Sequence, residues 1–262
     1  MLEVVNCEKC QKVSELCVCS EIKMLSNRTH VLILQHPQEP DKTLGTAKLT
    51  NLSLKNSTLR VGLSWPNLAT ALYGKGTPAP QHFNATRWGI LFLGSGMAEL
   101  KKALPLSREP RIVAVTKKGL PDPEKDPAAA SLDGIIVLDG TWSQAKTLWW
   151  RNAWMLKLRR LVLLPKAASL YGKHRREPKR ECLSTLESVG LSLRLIEKNP
   201  QLETDLNKVL SALMTRFEAM PKPEKKQDNR GRNRRGRGGR PRGDRTQNRA
   251  QNKPQNTSET PS

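Results

Sequence analysis

The run Ile135-Ile136-Val137-Leu138 constrains the fold more than any other stretch, because it is aliphatic without interruption and stops abruptly at Asp139-Gly140-Thr141-Trp142. A short aliphatic run bounded by turn formers reads as a buried strand. The stretch after the turn reads as a helix. Trp142, Ala145 and Trp149, with Leu148 beside them, recur at three- and four-residue spacing on one face, while Gln144, Lys146 and Arg151 face elsewhere. An acid therefore stands where a strand gives way to a helix. In open α/β sheets, ligands bind in the crevice outside the carboxyl ends of the strands. Asp139 is thus placed either for chemistry or, as a good N-cap residue, for capping the helix.

The same pattern recurs along the chain. Apolar strands are expected within residues 28–37, 57–65, 88–93 and 158–165, and 111–115 reads either as a further short strand or as an irregular apolar piece. Residues 51–54 suggest a helix end or turn, Ser184-Thr185-Leu186-Glu187 opens a helix running through Ile196, and 202–220 reads as another. Residues 68–87, rich in Gly, Pro and Ala, read as an irregular surface connection. Strands alternating with helices imply an α/β fold, a mostly parallel sheet flanked by helices.

Charge narrows the partner. The 262 residues carry a formal net charge of +21, of which nine units fall in residues 221–262 and twelve in the first 220. So large an excess points to a polyanion, of which nucleic acid is the commonest. From Pro221 the composition changes to an Arg/Gly-rich segment, including Arg230-Gly231-Arg232, which cannot bury a core and is expected to be disordered and RNA-binding. No apolar run approaches the length of a membrane span, so a cytoplasmic protein with no membrane and no obligate protein partner is expected.

Four further groups of residues carry candidate chemistry. Cys7, Cys10, Cys17 and Cys19 supply four thiolates for a tetrahedral structural zinc, or form surface dithiols without metal; Cys182 stands alone as a small core residue. The organisation expected is then a cysteine-rich segment 1–26, a folded domain 27–220 and a tail 221–262. His36 and Lys42, in the loop after the first strand, are suited to orienting a substrate or gripping an anion. Gly94-Ser95-Gly96 after a buried strand either admits a ligand close to the backbone or makes an ordinary turn. The loop 171–180 joins Tyr171 to Arg175 and Arg176 in a mixture suited to stacking on and neutralising RNA, or to a solvated surface.

In their order along the chain these residues resemble the DTW-domain family. Its name-giving pattern, Asp-x-Thr-Trp with a short spacing to Ala, is matched by Asp139-Gly140-Thr141-Trp142-Ser143-Gln144-Ala145. The cysteine cluster, His36-Pro37-Gln38-Glu39, the loop after Phe92 and Ser184-Thr185-Leu186-Glu187 look like that family's other landmarks, so the similarity spans residues 7–217. It implies a fold similar to the knotted, SPOUT-like proteins that bind S-adenosylmethionine at the carboxyl ends of their strands. It also implies a tRNA-uridine aminocarboxypropyltransferase, which moves the 3-amino-3-carboxypropyl group of S-adenosylmethionine to N3 of a uridine and releases methylthioadenosine.

On that resemblance Asp139, Thr141 and Trp142 are the catalytic candidates, and His36, Lys42, Arg175 and Arg176 the substrate-binding ones. Leu93, Gly94, Ser95, Gly96, Leu164 and Pro165 are expected to line the adenosine pocket, by analogy of fold. An ordinary Asp, with a pKa of about 3.9, is a weak base for an imide. "Base" and "orienter of the uracil" therefore both stand. The rivals are a methyltransferase using the same donor on RNA and a non-catalytic RNA-binding protein.

Overall fold

The computed structural model describes residues 6–91, 100, 102–105, 107–127, 131–172 and 183–221. Six strands form one sheet: β1 (His30–Gln35), β2 (Ser57–Val61), β3 (Trp88–Leu91), β4 (Arg111–Val115), β5 (Gly134–Asp139) and β6 (Arg159–Leu164). Their order is β2-β1-β5-β3-β6-β4, and every neighbouring pair is parallel except β4 with β6, which is antiparallel. The aliphatic run 135–138 forms the body of β5, which lies inside the sheet between β1 and β3. Helices α1 (Ala47–Ser53), α2 (Leu68–Tyr73), α3 (Trp142–Arg151), α4 (Thr185–Glu197) and α5 (Pro200–Ala219) accompany it.

The two-residue period of a strand sorts its side chains between two cores. Val31, Ile33, Ile135 and Val137 point to one face, where they meet Leu49 of α1, Val189 and Leu193 of α4, and Leu206 and Leu210 of α5. Leu32, Leu34, Ile90 and Ile136 point to the other, against Leu68 and Leu72 of α2 and against Met155 and Leu158. Both faces of the central strands are covered, which is why β1, β3 and β5 are apolar at consecutive rather than alternate positions. Each such side chain contributes about 1.5–3 kcal/mol by burial.

Pairing in the middle of the sheet depends on size. Trp88 stands opposite Gly134 in the β3–β5 register, and a Cβ at 134 would lie 2.4 Å from the indole. The glycine makes room for a ring.

The α/β architecture with a mostly parallel sheet agrees with the sequence reading, and three local expectations change. Residues 68–87 are not wholly irregular, because α2 occupies Leu68–Tyr73. Its signals are an Asn67 side chain that accepts the Thr70 N–H at 2.8 Å and a closing Gly74 at φ +94°, a left-handed position that favours glycine. The second strand ends at Val61 rather than at Trp65. Trp142 does not share the buried face of α3: Ala145 and Leu148 are buried, whereas Trp142 is 38% exposed. As the first residue of its helix, it has no preceding turn to pack on.

No described helix is long and apolar enough to cross a membrane. The Arg/Gly-rich tail beyond 221, Cys182 and the loop 173–180 lie outside the described residues.

Candidate active site

Asp139 is the last residue of β5 and pairs in register with Gln35, the last residue of β1. The chain leaves β1 for β2 on one side of this pair and places β3 on the other, so the acid sits at the carboxyl end of the sheet where the winding changes direction. That is the crevice in which α/β proteins bind ligands. Asp139 is buried, at 8% exposure, and both carboxylate oxygens are held. Oδ2 accepts a hydrogen bond from Gln35 Nε2 at 2.9 Å. Oδ1 accepts one from the Thr185 hydroxyl, in the first turn of α4.

Capping the helix is the task of Thr141, not Asp139. The Thr141 hydroxyl accepts the Gln144 N–H at 3.3 Å, and the Gln144 side-chain oxygen accepts the Thr141 N–H at 2.6 Å, a complete capping box. Gly140 permits this tight corner, since a Cβ there would sit 2.9 Å from Gln144 Cβ and 3.5 Å from His36 Cβ. With the cap supplied two residues later, the carboxylate of Asp139 is left to the crevice.

The loop from His36 to Thr46 is tied to this corner and to the segments around it at several points. His36 N–H donates to the Asp139 carbonyl at 3.0 Å, and the Gln38 side-chain oxygen accepts Gln144 Nε2 at 3.2 Å. The Tyr171 hydroxyl donates to the Leu44 carbonyl at 2.6 Å. Lys12 reaches in from the N-terminal segment, its ammonium donating to the carbonyls of Thr43 at 2.9 Å and Lys42 at 3.2 Å. Burial lowers the Lys12 pKa to about 8, against the pull of Cys10 and Asp139, which favour its charge. Glu187 anchors the other wall, accepting from Ser169 Oγ and Leu170 N–H at 2.7 Å each and closing a capping box with Ser184.

The four N-terminal cysteines converge: their sulfurs all lie within 4.8 Å of one another, with Cys7 to Cys19 at 3.7 Å and Cys10 to Cys17 at 3.8 Å. A tetrahedral zinc with Zn–S of about 2.3 Å has S···S edges of about 3.8 Å, so the set fits that ion. The Cys10 N–H bonded to its sulfur, followed by Cys17, holds the Cys7 thiol down to about 6. Burial pushes the Cys10 and Cys19 thiols up. A cation is what would allow all four to ionise together. Cys10, Leu16 and Val18 belong to the same core as α5, which binds the cluster to the domain.

The sequence-derived candidates are partly brought together. Asp139, Thr141, Trp142, His36 and Lys42 gather at the carboxyl ends of β1 and β5. Lys42 is exposed and enters the network through its carbonyl, and His36 is half-buried with Nδ1 accepting the Gln38 N–H at 3.3 Å. Leu164 ends β6, packed beside Val162, Val115 and Leu100, and Pro165 follows it. Leu93, Gly94, Ser95, Gly96, Arg175 and Arg176 lie outside the described residues. Tyr171 differs from expectation: it is fully buried and spends its hydroxyl on Leu44, so it is not a stacking surface. Gln35, Thr185, Lys12 and Glu187 escaped sequence reasoning, although Thr185 and Glu187 lie inside the Ser184-Thr185-Leu186-Glu187 landmark.

The sequence pattern of the DTW domain matches residues 4–218. The chain belongs to the DTW domain family. Among curated proteins it is similar to tRNA-uridine aminocarboxypropyltransferase 2 of Macaca fascicularis and of Mus musculus. Each is 28% identical over 217 residues, covering 79% of this chain and 62% of the relative. The Drosophila melanogaster protein of the same name is 28% identical over 210 residues, covering 79% of this chain and 73% of the relative. The chain thus spans less than two thirds of the length of the two mammalian relatives. No solved structure matches it. Within this DTW domain the three residues of the family name have separate places: Asp139 in the crevice, Thr141 in the helix cap, Trp142 half out in solvent.

Proposed function

We propose that the chain transfers the 3-amino-3-carboxypropyl group of S-adenosylmethionine to N3 of a uridine in tRNA. The observation that carries this reading is the Asp139 carboxylate at the carboxyl end of β5, fixed by two neutral donors, Gln35 and Thr185. A carboxylate has about four acceptor sites, so two filled ones leave capacity for the uracil N3–H. Asp139 would orient that edge and draw its proton as N3 attacks the carbon bonded to the sulfonium sulfur. The N3–C bond forms, the C–S bond breaks, and its electron pair leaves with methylthioadenosine. Family membership and the relatives' names support the substrate class and the group transferred.

The four-cysteine cluster is read as a structural zinc site, because four thiolates leave no open position for water. Reduced thiols and a tRNA substrate both suit the cytoplasm. His36 and Lys42 remain candidates for the uridine or for phosphates, and Leu164 and Pro165 for the adenosine. Leu93 to Gly96, Arg175 and Arg176 keep the roles that the family resemblance implies.

The test is mass spectrometry of nucleosides from unmodified tRNA incubated with the protein and S-adenosylmethionine, alongside Asp139→Ala. A uridine heavier by an aminocarboxypropyl group, lost in the variant and accompanied by methylthioadenosine, is expected. A methylated nucleoside with S-adenosylhomocysteine would reassign the protein to methyl transfer. No new nucleoside on any tRNA would leave an RNA-binding protein.

A further inference from the structure

Helix α3 carries an exposed face that starts at Trp142, beside the candidate site, and runs beyond it. Ala145 and Leu148 face inward, and Trp142, Lys146 and Trp150, spaced four residues apart, are exposed. Residues four apart on a helix are neighbours, so the three form one stripe, aromatic, basic, aromatic. Trp150 is 76% exposed, whereas the adjacent Trp149 is half-buried, with the Arg160 guanidinium 5.6 Å from its ring centre. An indole left this open is unusual, since tryptophan is on average a well-buried residue.

The stripe begins at the candidate site and leads away from it. Trp142 follows Asp139 by three residues, and at 1.5 Å of rise per residue Trp150 stands about 12 Å further along the helix axis. No residue of α3 is acidic, and Arg151 beside Trp150 is exposed as well. The face therefore combines flat apolar rings with positive charge, which suits nucleotides better than an apolar peptide groove.

We infer that Trp150 and Lys146, continuing from Trp142, form a platform on which unpaired nucleotides of the tRNA loop flanking the target uridine stack and place a phosphate. This rests on the proposed reaction at Asp139. Uridine N3 is a Watson–Crick position, so the target must be unpaired and drawn out of its stack before anything is attached there. The neighbouring bases then lose a stacking partner. An exposed indole replaces it, and Lys146 between the rings neutralises the backbone that joins them.

The test is equilibrium binding of unmodified tRNA to the full chain at physiological salt, without donor, for wild type, Trp150→Ala, Trp150→Phe and Lys146→Glu. Trp150→Ala should raise Kd by about tenfold or more, the range of one lost base–aromatic stack. Trp150→Phe should recover most of it. Lys146→Glu should also weaken binding and lower the dependence of Kd on salt. Leu120→Ala, an exposed apolar residue elsewhere, should change nothing. All these positions are exposed, so melting temperatures should match the wild type. In turnover, Trp150→Ala should raise KM for tRNA and leave kcat and the KM for S-adenosylmethionine unchanged. A wild-type Kd for both Trp150→Ala and Lys146→Glu overturns the platform, even if transfer to uridine is observed. Lost affinity without any transfer by the wild type keeps a tRNA-binding face on α3 but refutes the reaction, and with it the place of that face beside a target uridine.

Discussion

The Thr185 hydroxyl donates to Asp139 Oδ1 across 46 residues of sequence, joining the first turn of α4 to the end of β5. With Gln35 on the other oxygen, the carboxylate is held on both sides while its helix is capped by Thr141. The acid is therefore oriented by elements that neighbour it only in space.

Removing that donor should cost both stability and turnover. Thr185→Val keeps the shape and deletes the hydroxyl, and a hydrogen bond to a charged group contributes about 1.5–3 kcal/mol. Chemical denaturation should show a loss in that range, with transfer to uridine reduced at saturating substrate, whereas Thr185→Ser should restore both. Normal kcat in Thr185→Val would show that Asp139 needs no support from α4.

Gly140→Ala should be poorly tolerated. The added methyl group would meet Gln144 Cβ at 2.9 Å and press on His36, and overpacking of this kind costs about 1–3 kcal/mol. Because Gln144 both caps α3 and holds Gln38, the change should loosen the corner as well as lower the melting temperature. Faster amide exchange at Thr141, relative to a β2 amide, is the specific sign.

One zinc per chain is expected by elemental analysis, and Cys10→Ser should lose it. Chelation should lower the melting temperature without abolishing the fold, since Leu16 and Val18 remain packed with α5 and the sheet has its own two-sided core. The Lys12 contacts to Thr43 and Lys42 predict that chelation also exposes the His36–Thr46 loop to protease. A zinc-free protein with unchanged melting and unchanged cleavage would refute the structural role.

Acidification should cost stability through His30. Its burial beside Trp88 lowers its pKa below the ordinary value of 6.5. The unfolded chain therefore binds the proton more readily, and stability falls as pH drops through 6.5 toward the folded value. Denaturation of wild type and His30→Gln at neutral pH and near pH 5 should show a smaller loss in the variant. An equal loss would place the acid sensitivity elsewhere.

Local pattern carried much of the fold. Aliphatic runs at 31–34 and 135–138 read as buried strands and are found covered on both faces, and Ser184 to Glu187 read as a helix start and is found to close a complete capping box. Four closely spaced cysteines pointed to a metal, and they do converge. Asp139 at a strand end was legible for the same reason, because turn chemistry succeeds an apolar run wherever a buried strand ends.

What only tertiary structure decided is which groups face Asp139. Gln35 is 104 residues away and Thr185 is 46, and both arrive because β1 lies beside β5 and α4 begins over its end. The same holds for Tyr171, which looked like a stacking ring and is a buried strut, and for Trp142, which periodicity puts on the apolar face of its helix and which is partly exposed. Sequence periodicity reports the side of an element on which a residue sits. Strand order and the path of the loops determine what stands opposite, and those depend on the packing of the whole sheet rather than on any local run.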